Sequence, residues 1–212
     1  MTDDLIARLS MDLRPVRRGV MWQLLIGALV AGGIVAAIAM YMMLGLREDI
    51  ATAPTTMMFW TKSFYTFALA VLGFCATIVL ARPDGRTRWP WIVALGLAVL
   101  LGVGAVAQLM IMPADQTMHL VVGGSSLVCP WYIVGLSLPV LAGVMLVLRR
   151  MAPANATLAG FAAGLFAGGA GAWVYSFHCG ENGMMFLMLW YTLGILVVAA
   201  LGALIGRFAL RW

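Results

Sequence analysis

Six long apolar runs constrain the fold of this chain more than any other feature of its sequence. They cover residues 20–44, 58–81, 90–112, 131–148, 157–176 and 185–206. The hydrocarbon core of a bilayer is about 30 Å thick and a helix crosses it with about 20 apolar residues, so each run can span a membrane. Hydrophobic residues make up 64% of the chain and charged residues 10%, whereas soluble domains carry about 45–50% and about 25%. The sequence therefore predicts an all-α integral membrane bundle of six transmembrane helices.

The positions of the cations predict the orientation of the six helices. Short cytoplasmic loops of membrane proteins carry an excess of Lys and Arg. With the N-terminus inside, 11 of the 13 cations fall on the cytoplasmic side, and only Arg47 and Lys62 fall outside. We therefore expect both termini in the cytoplasm and residues 45–57, 113–130 and 177–184 outside, with Lys62 reaching outward to water from the end of its span. This split accounts for the net charge of +5 without any direct contact to nucleic acid.

The chain is expected to have three parts and no soluble domain. Residues 1–19 form a cytoplasmic tail, residues 20–206 form the bundle with its loops, and residues 207–212 form a cytoplasmic C-terminus. The loops are too short to hold an enzyme domain. Function must therefore lie in the bundle, in the outer loops or in the tail.

Glycines recur at every fourth residue in the last two apolar runs. They are Gly160, Gly164 and Gly168 in the fifth run, and Gly202 and Gly206 in the sixth. Small residues at this spacing allow two membrane helices to approach backbone to backbone. The pattern predicts tight packing between helices and gives no direct indication of a functional site.

The outer loops hold the candidate functional residues. The stretch "SFHCGENGMM" contains His178, Cys179 and Glu181, and the preceding outer loop contains His119 and Cys129. In a Gram-negative cell the outer side is the periplasm, which is oxidising, so the two cysteines could form a structural disulfide. Thiolates and imidazoles also suit a zinc-like or Cu(I) ion. Both possibilities stay open from the residues alone.

A comparison of free energies favours a bound metal over a disulfide as the signal. Moving a two-state population from 1:99 to 99:1 takes about 5.5 kcal/mol. Structural zinc sites contribute about 10–16 kcal/mol and a disulfide about 2–4 kcal/mol. We therefore expect Cys129 and Cys179 to bind a metal with His178 as third ligand and Glu181 or His119 as fourth. Oxidation of the same thiols would destroy such a site.

The cytoplasmic tail carries one apolar stripe. Leu5, Ile6, Leu9 and Leu13 fall on one face of a short amphipathic helix that ends before Pro15. Such a helix is marginal alone in water. It needs a hydrophobic groove on a protein or a membrane surface, and the pattern does not decide between them.

Several motifs along the chain resemble a known family. They are "DLIARLSMDLRPVRR" in the tail, "LGLREDI" at 44–50, "CP" at 129–130, "HCGE" at 178–181, "LWY" at 189–191 and the terminal "RW". This set resembles the NrsF-type anti-sigma factors over the whole length. Members of that family are six-span inner-membrane proteins that negatively regulate extracytoplasmic-function sigma factors.

The resemblance implies a regulator in the bacterial inner membrane that is not an enzyme. It implies that the tail holds the sigma factor, and that Cys129 and Cys179 govern its release under metal or oxidative stress. The residues expected to contact the sigma factor are those of the tail stripe and the arginine that follows it: Leu5, Ile6, Leu9, Leu13 and Arg14.

Two other classes of protein compete with this interpretation. A membrane thiol oxidoreductase also needs outer cysteines, but it usually carries a C-x-x-C pair and a second relay pair, whereas the outer cysteines here are isolated. A metal or small-solute transporter needs polar residues inside its spans, and these are scarce here.

Overall fold

The computed structural model describes residues 19–210, which fold into seven helices without any strand. The helices are α1 (Val20–Met43), α2 (Met57–Leu80), α3 (Trp89–Ile111), α4 (Ala114–Val122), α5 (Cys129–Leu148), α6 (Ala156–Tyr175) and α7 (Met184–Ala209). The tail residues predicted to bind a partner, and the amphipathic helix predicted there, lie outside the described residues.

Six of these helices are long and apolar enough to cross a membrane: α1, α2, α3, α5, α6 and α7. The prediction of an all-α bundle with six spans is confirmed. Residues 113–130, which were predicted as a connection between spans, contain the nine-residue helix α4. Nine residues cannot cross a bilayer, so α4 belongs to the loop region of the bundle.

The loops gather at two ends of the bundle. We call the end with residues 44–56, 112–128 and 176–183 the cysteine end, and the end with residues 81–88 and 149–155 the arginine end. Among the described residues, the arginine end carries six arginines: Arg82, Arg86, Arg88, Arg149, Arg150 and Arg207. The only cations on the cysteine side of residues 19–210 are Arg47 and Lys62.

Helix α6 is the centre of the bundle. It packs against α7, α2, α5 and α1, while α3 lies at the periphery. The predicted close approach between glycine-bearing helices is confirmed, because a Cβ on Gly164 would lie 2.6 Å from the Cα of Ala199. The backbone of Gly160 likewise touches that of Gly202. Helices α6 and α7 therefore meet through their main chains.

Helix α7 changes its winding near the cysteine end. After one α-helical turn at Met184–Phe186 it forms a π-helical turn over Leu187–Tyr191, and then continues as an α-helix. Short π-helical turns are often found at functional sites. Here the turn brings Phe186, Leu187 and Tyr191 to the interior, where all three are buried.

Candidate functional site

Cys129 lies at the start of α5, and its thiol is buried. Its backbone N–H donates to the carbonyl oxygen of Ser125 at 2.8 Å, and Pro130 occupies the first turn of the helix, where its missing N–H costs nothing. The side chain has no exposed surface. Cys129 is therefore held by a helix and points into the bundle.

The thiol of Cys179 is buried in the loop between α6 and α7. The residue is 3% exposed, and its N–H donates to the carbonyl oxygen of Tyr175 at 3.1 Å. Cys129 and Cys179 belong to one cluster of buried residues that also contains Tyr175 and Tyr191. The fold therefore brings together two thiols that are 50 positions apart in the sequence, and both are free.

His178 fastens the loop of Cys179 to the loop that follows α1. Its ring nitrogen Nδ1 lies 3.0 Å from the carbonyl oxygen of Gly45, and its ring packs 5.7 Å from that of Tyr175. The backbone N–H of Arg47 donates to the carbonyl oxygen of Phe177 at 3.2 Å beside this contact. His178 thus joins two loops in the described arrangement.

Glu181 fastens the same loop to the segment before Cys129. Its Oε1 accepts the N–H of Gly124 at 2.8 Å and the hydroxyl of Ser125 at 3.4 Å. Gly123 makes the approach possible, since its φ is +57° and a Cβ there would lie 2.7 Å from the carboxylate. The two residues that flank Cys179 as candidate ligands are therefore both bound to neighbouring loops.

The predicted metal ligands do not converge in this arrangement. Among the side chains described in residues 19–113 and 116–210, no three of His, Cys, Asp or Glu are grouped so that they could hold a metal ion. His119 is exposed on α4. A zinc-like ion takes four ligands, so it does not fit here unless His178 or Glu181 leaves its present partner. Metal binding by these residues stays a prediction.

Lys62 is the main residue that the sequence did not assign to the site. The expectation that it reaches outward to water is wrong, because its side chain is only 1% exposed. Its Nζ donates to the carbonyl oxygen of Cys179 at 3.1 Å and lies 3.9 Å from the sulfur. It also lies 6.0 Å from the centre of the Tyr191 ring, a cation–π distance. The sequence did offer a signal for the burial of Lys62. Its position places it on the same helical face as Tyr65, Thr66 and Leu69, which are all buried.

Arg47 is a second buried cation at the same loop. Its guanidinium donates to both carboxylate oxygens of Asp49, at 2.5 and 2.6 Å, and to the carbonyl oxygen of Cys179 at 3.4 Å. The bidentate pair raises the pKa of Arg47 and lowers the pKa of Asp49. Two cations from different elements therefore converge on one carbonyl, that of Cys179.

Tyr191 carries the least satisfied polar group of the cluster. The residue has no exposed surface, and its hydroxyl makes no hydrogen bond of good geometry within the described chain. The side chain of Cys179 lies within hydrogen-bonding reach of this hydroxyl. A buried hydroxyl without a well-formed hydrogen bond is destabilising, so a movement of Cys179 changes the surroundings of Tyr191 directly.

The fold and the site together define a multi-pass membrane protein with a buried pair of thiols near one end of its bundle and no soluble domain in residues 19–210. Residues 9–212 match the family of negative regulators of sigma F, NrsF. The chain belongs to this family, whose class is that of the anti-sigma factors.

Two relatives match over their whole length. The anti-sigma-F factor NrsF of Caulobacter vibrioides (strain NA1000 / CB15N) is 41% identical over 223 aligned residues, covering 100% of this chain and 99% of the relative. The probable anti-sigma-F factor NrsF of Azospira oryzae (strain ATCC BAA-33 / DSM 13638 / PS) is 38% identical over 213, with the same two coverages. No solved structure matches significantly.

Proposed function

We propose that this chain is an inner-membrane anti-sigma factor that holds an extracytoplasmic-function sigma factor through residues 1–19. A metal or an oxidant acting on Cys129 and Cys179 then makes it release the sigma factor. The observation that carries the proposal is the burial of both thiols in one cluster at the cysteine end of a chain that belongs to the anti-sigma-F family. The sigma-binding side chains would be Leu5, Ile6, Leu9, Leu13 and Arg14.

The described contacts favour thiol oxidation as the simpler of the two signals. A disulfide needs only Cys129 and Cys179, which already share one cluster. A four-coordinate metal needs further ligands, and His178 and Glu181 are bound to Gly45 and Gly124. Oxidation therefore requires fewer contacts to break, and an experiment should compare oxidant and metal directly.

The proposed function is tested by measuring release of the sigma factor from membranes. Membranes that hold the chain and its sigma factor are treated with diamide, with Zn²⁺ or with Cu(I). Diamide takes up two electrons and two protons as the two thiols join into a disulfide. We expect Cys129→Ser and Cys179→Ser each to abolish release, because one thiol cannot form the bond. The double variant should be no worse than either single variant, since both residues serve one step.

The control for this experiment is Cys75→Ser. Cys75 lies half-buried on α2 and outside the thiol cluster, so its replacement should leave release unchanged. If both cluster variants release the sigma factor normally under every treatment, the thiols are only structural and the proposed function is wrong about the sensor.

The orientation is a second part of the proposal. The six described arginines at one end, with those of the tail, favour the arginine end as cytoplasmic and the cysteine end as periplasmic. Cys129 and Cys179 are poor reporters because they are buried. We therefore place single cysteines at two exposed loop residues, Thr52 and Asp84, in a variant whose three native cysteines are serine.

Thr52→Cys should react with a membrane-impermeant maleimide on intact spheroplasts. Asp84→Cys should react only after the membrane is broken, because residues 81–88 lie at the opposite end. The reverse pattern would invert the proposed topology and would place the thiol cluster near the cytoplasm.

A further inference from the structure

We infer that Lys62 transmits a change at the thiol pair to the end of the bundle from which the tail extends. A reaction of the cysteines then causes release of the sigma factor through Lys62. The inference rests on the proposed function. It concerns what happens after the thiols have reacted, and it assigns no part in that reaction to Lys62.

The hydrogen bonding of the Lys62 ammonium depends on the position of Cys179. In the part of the chain that the structure describes, the carbonyl oxygen of Cys179 is the one oxygen that accepts a hydrogen bond from Nζ, at 3.1 Å. The ammonium is buried near the end of a span, where an unpartnered cation is costly. The position of α2 is therefore tied to the position of one loop carbonyl.

The second step is that a reaction between the thiols displaces this carbonyl. Cys129 is fixed in the first turn of α5, whereas Cys179 lies in a segment without regular structure. When the two sulfurs are drawn together, the loop residue moves rather than the helical one, because its loop is held by the contacts of His178 and Glu181 and not by a regular helix. The move withdraws the carbonyl from Lys62 and leaves the ammonium without its acceptor.

The third step is that the cluster offers Lys62 an alternative. The ammonium lies 6.0 Å from the centre of the Tyr191 ring, and the Tyr191 hydroxyl makes no well-formed hydrogen bond but has the side chain of Cys179 within reach. A phenol oxygen can accept a hydrogen bond. When Cys179 moves, the Tyr191 hydroxyl loses that neighbour and can accept from Lys62 instead, so the ammonium is drawn toward Tyr191.

The fourth step is that α2 carries the displacement along its length. The helix runs without proline from Met57 to Leu80, so no kink absorbs a shift. It packs closely on α6, because a Cβ on Gly73 would lie 2.7 Å from the Cα of Phe166. Helices packed in this way move as units by about 1–2 Å.

The last step connects α2 to the start of α1. Phe74 of α2 contacts Trp22 edge to face, with ring centres 5.1 Å apart. Trp22 is the third residue of α1, directly after the tail. Lys62 and Phe74 are separated by about 18 Å along the helix at 1.5 Å per residue. A shift at Lys62 therefore reaches the root of the segment proposed to hold the sigma factor.

The test separates the reaction of the thiols from the release that follows it. Membranes with the full chain and its sigma factor are treated with diamide. The Cys129–Cys179 disulfide is measured by differential alkylation and mass spectrometry, and released sigma factor is measured in the supernatant. Lys62→Met keeps the length of the side chain and removes the ammonium. Ser63→Ala, a buried neighbour on α2, is the matched control.

We expect Lys62→Met to hold the sigma factor when reduced, to reach the same final extent of disulfide under excess diamide as the unmodified chain, and to release at least tenfold less sigma factor. Ser63→Ala should behave like the unmodified chain. Normal release by Lys62→Met overturns the inference, and so does failure to form the disulfide, because Lys62 would then act on the thiols themselves.

A second variant decides the matter if Lys62→Met does not hold the sigma factor. Phe74→Leu removes the ring contacts with Trp22 and with Phe166 while leaving the thiol cluster intact. It should form the disulfide and release at least tenfold less sigma factor, whereas Phe64→Leu, at an exposed site of the same helix, should release normally. Normal release by Phe74→Leu overturns the inference. Release by Cys129→Ser or Cys179→Ser would instead refute the proposed function, so the two failures are distinct.

Discussion

Leu9→Asp is expected to free the sigma factor without any signal. If the apolar stripe of the tail occupies a groove on the sigma factor, the new carboxylate lies in an apolar contact without a partner. An uncompensated buried charge costs about 3–5 kcal/mol, which weakens binding by more than about a hundredfold. The variant should therefore no longer retain the sigma factor on membranes, and transcription of its target genes should be constitutive.

The matched control is Ala7→Asp. In the predicted helix Ala7 lies on the face opposite the stripe formed by Leu5, Ile6, Leu9 and Leu13, so the same charge should stay in water and leave retention intact. A tail that binds lipid instead gives a different result. A peptide of residues 1–19 would then bind anionic vesicles and would not pull down the sigma factor.

Gly164→Ala is expected to destabilise the bundle strongly although it adds only one methyl group. The new Cβ would lie 2.6 Å from the Cα of Ala199 and would also meet the carbonyl oxygen of Val198. Both are backbone atoms that no side-chain rotation can move away. Overpacking of this kind costs about 1–3 kcal/mol and sometimes more, so α6 and α7 must separate. Thermal unfolding in detergent should show a clearly lower midpoint.

Gly135→Ala provides the comparison for this measurement. Gly135 also lies in a span, α5, but a Cβ there would meet nothing within 4 Å. Its midpoint should stay unchanged or rise, since alanine is the better helix former. Equal midpoints for the two variants would mean that α6 and α7 do not touch through their backbones in the membrane.

The spans could be predicted from the sequence because a bilayer leaves a chain few choices. Backbone groups in the hydrocarbon must be satisfied within the segment, so each long apolar run had to become a helix. The glycine spacing in α6 and α7 also predicted their close contact, because residues without a side chain let two helix backbones meet. Helix α4 was not predicted, because it is short and lies in a connection between two spans.

The partners of the site residues could not be predicted in the same way. His178 binds a carbonyl 133 positions away and Glu181 binds an amide 57 positions away. Both partners are backbone groups, which all residues possess apart from the N–H that proline lacks, so no residue type marks them in the sequence. The residue types suggested metal ligands, whereas the described contacts tie loops together.

Lys62 shows a different limit of sequence reasoning. A lysine near the end of a span usually extends its charge to the membrane surface. Here the inner face of α2 directs it toward Cys179 instead. The outcome depends on the neighbouring loop presenting a carbonyl at the right depth, and this depends on the folded positions of α6 and α7.

The burial of both thiols also bears on how fast a response can begin. Cys129 has no exposed surface and Cys179 is 3% exposed, so a reagent arriving from water meets a sulfur only while the loop of residues 176–183 is open. Where opening is slower than the chemistry, the rate of reaction equals the rate of opening. Once reagent is abundant, adding more of it would not start the response sooner. The contacts of His178 and Glu181 would then set the delay before the response. Exposures shorter than this delay would have no effect.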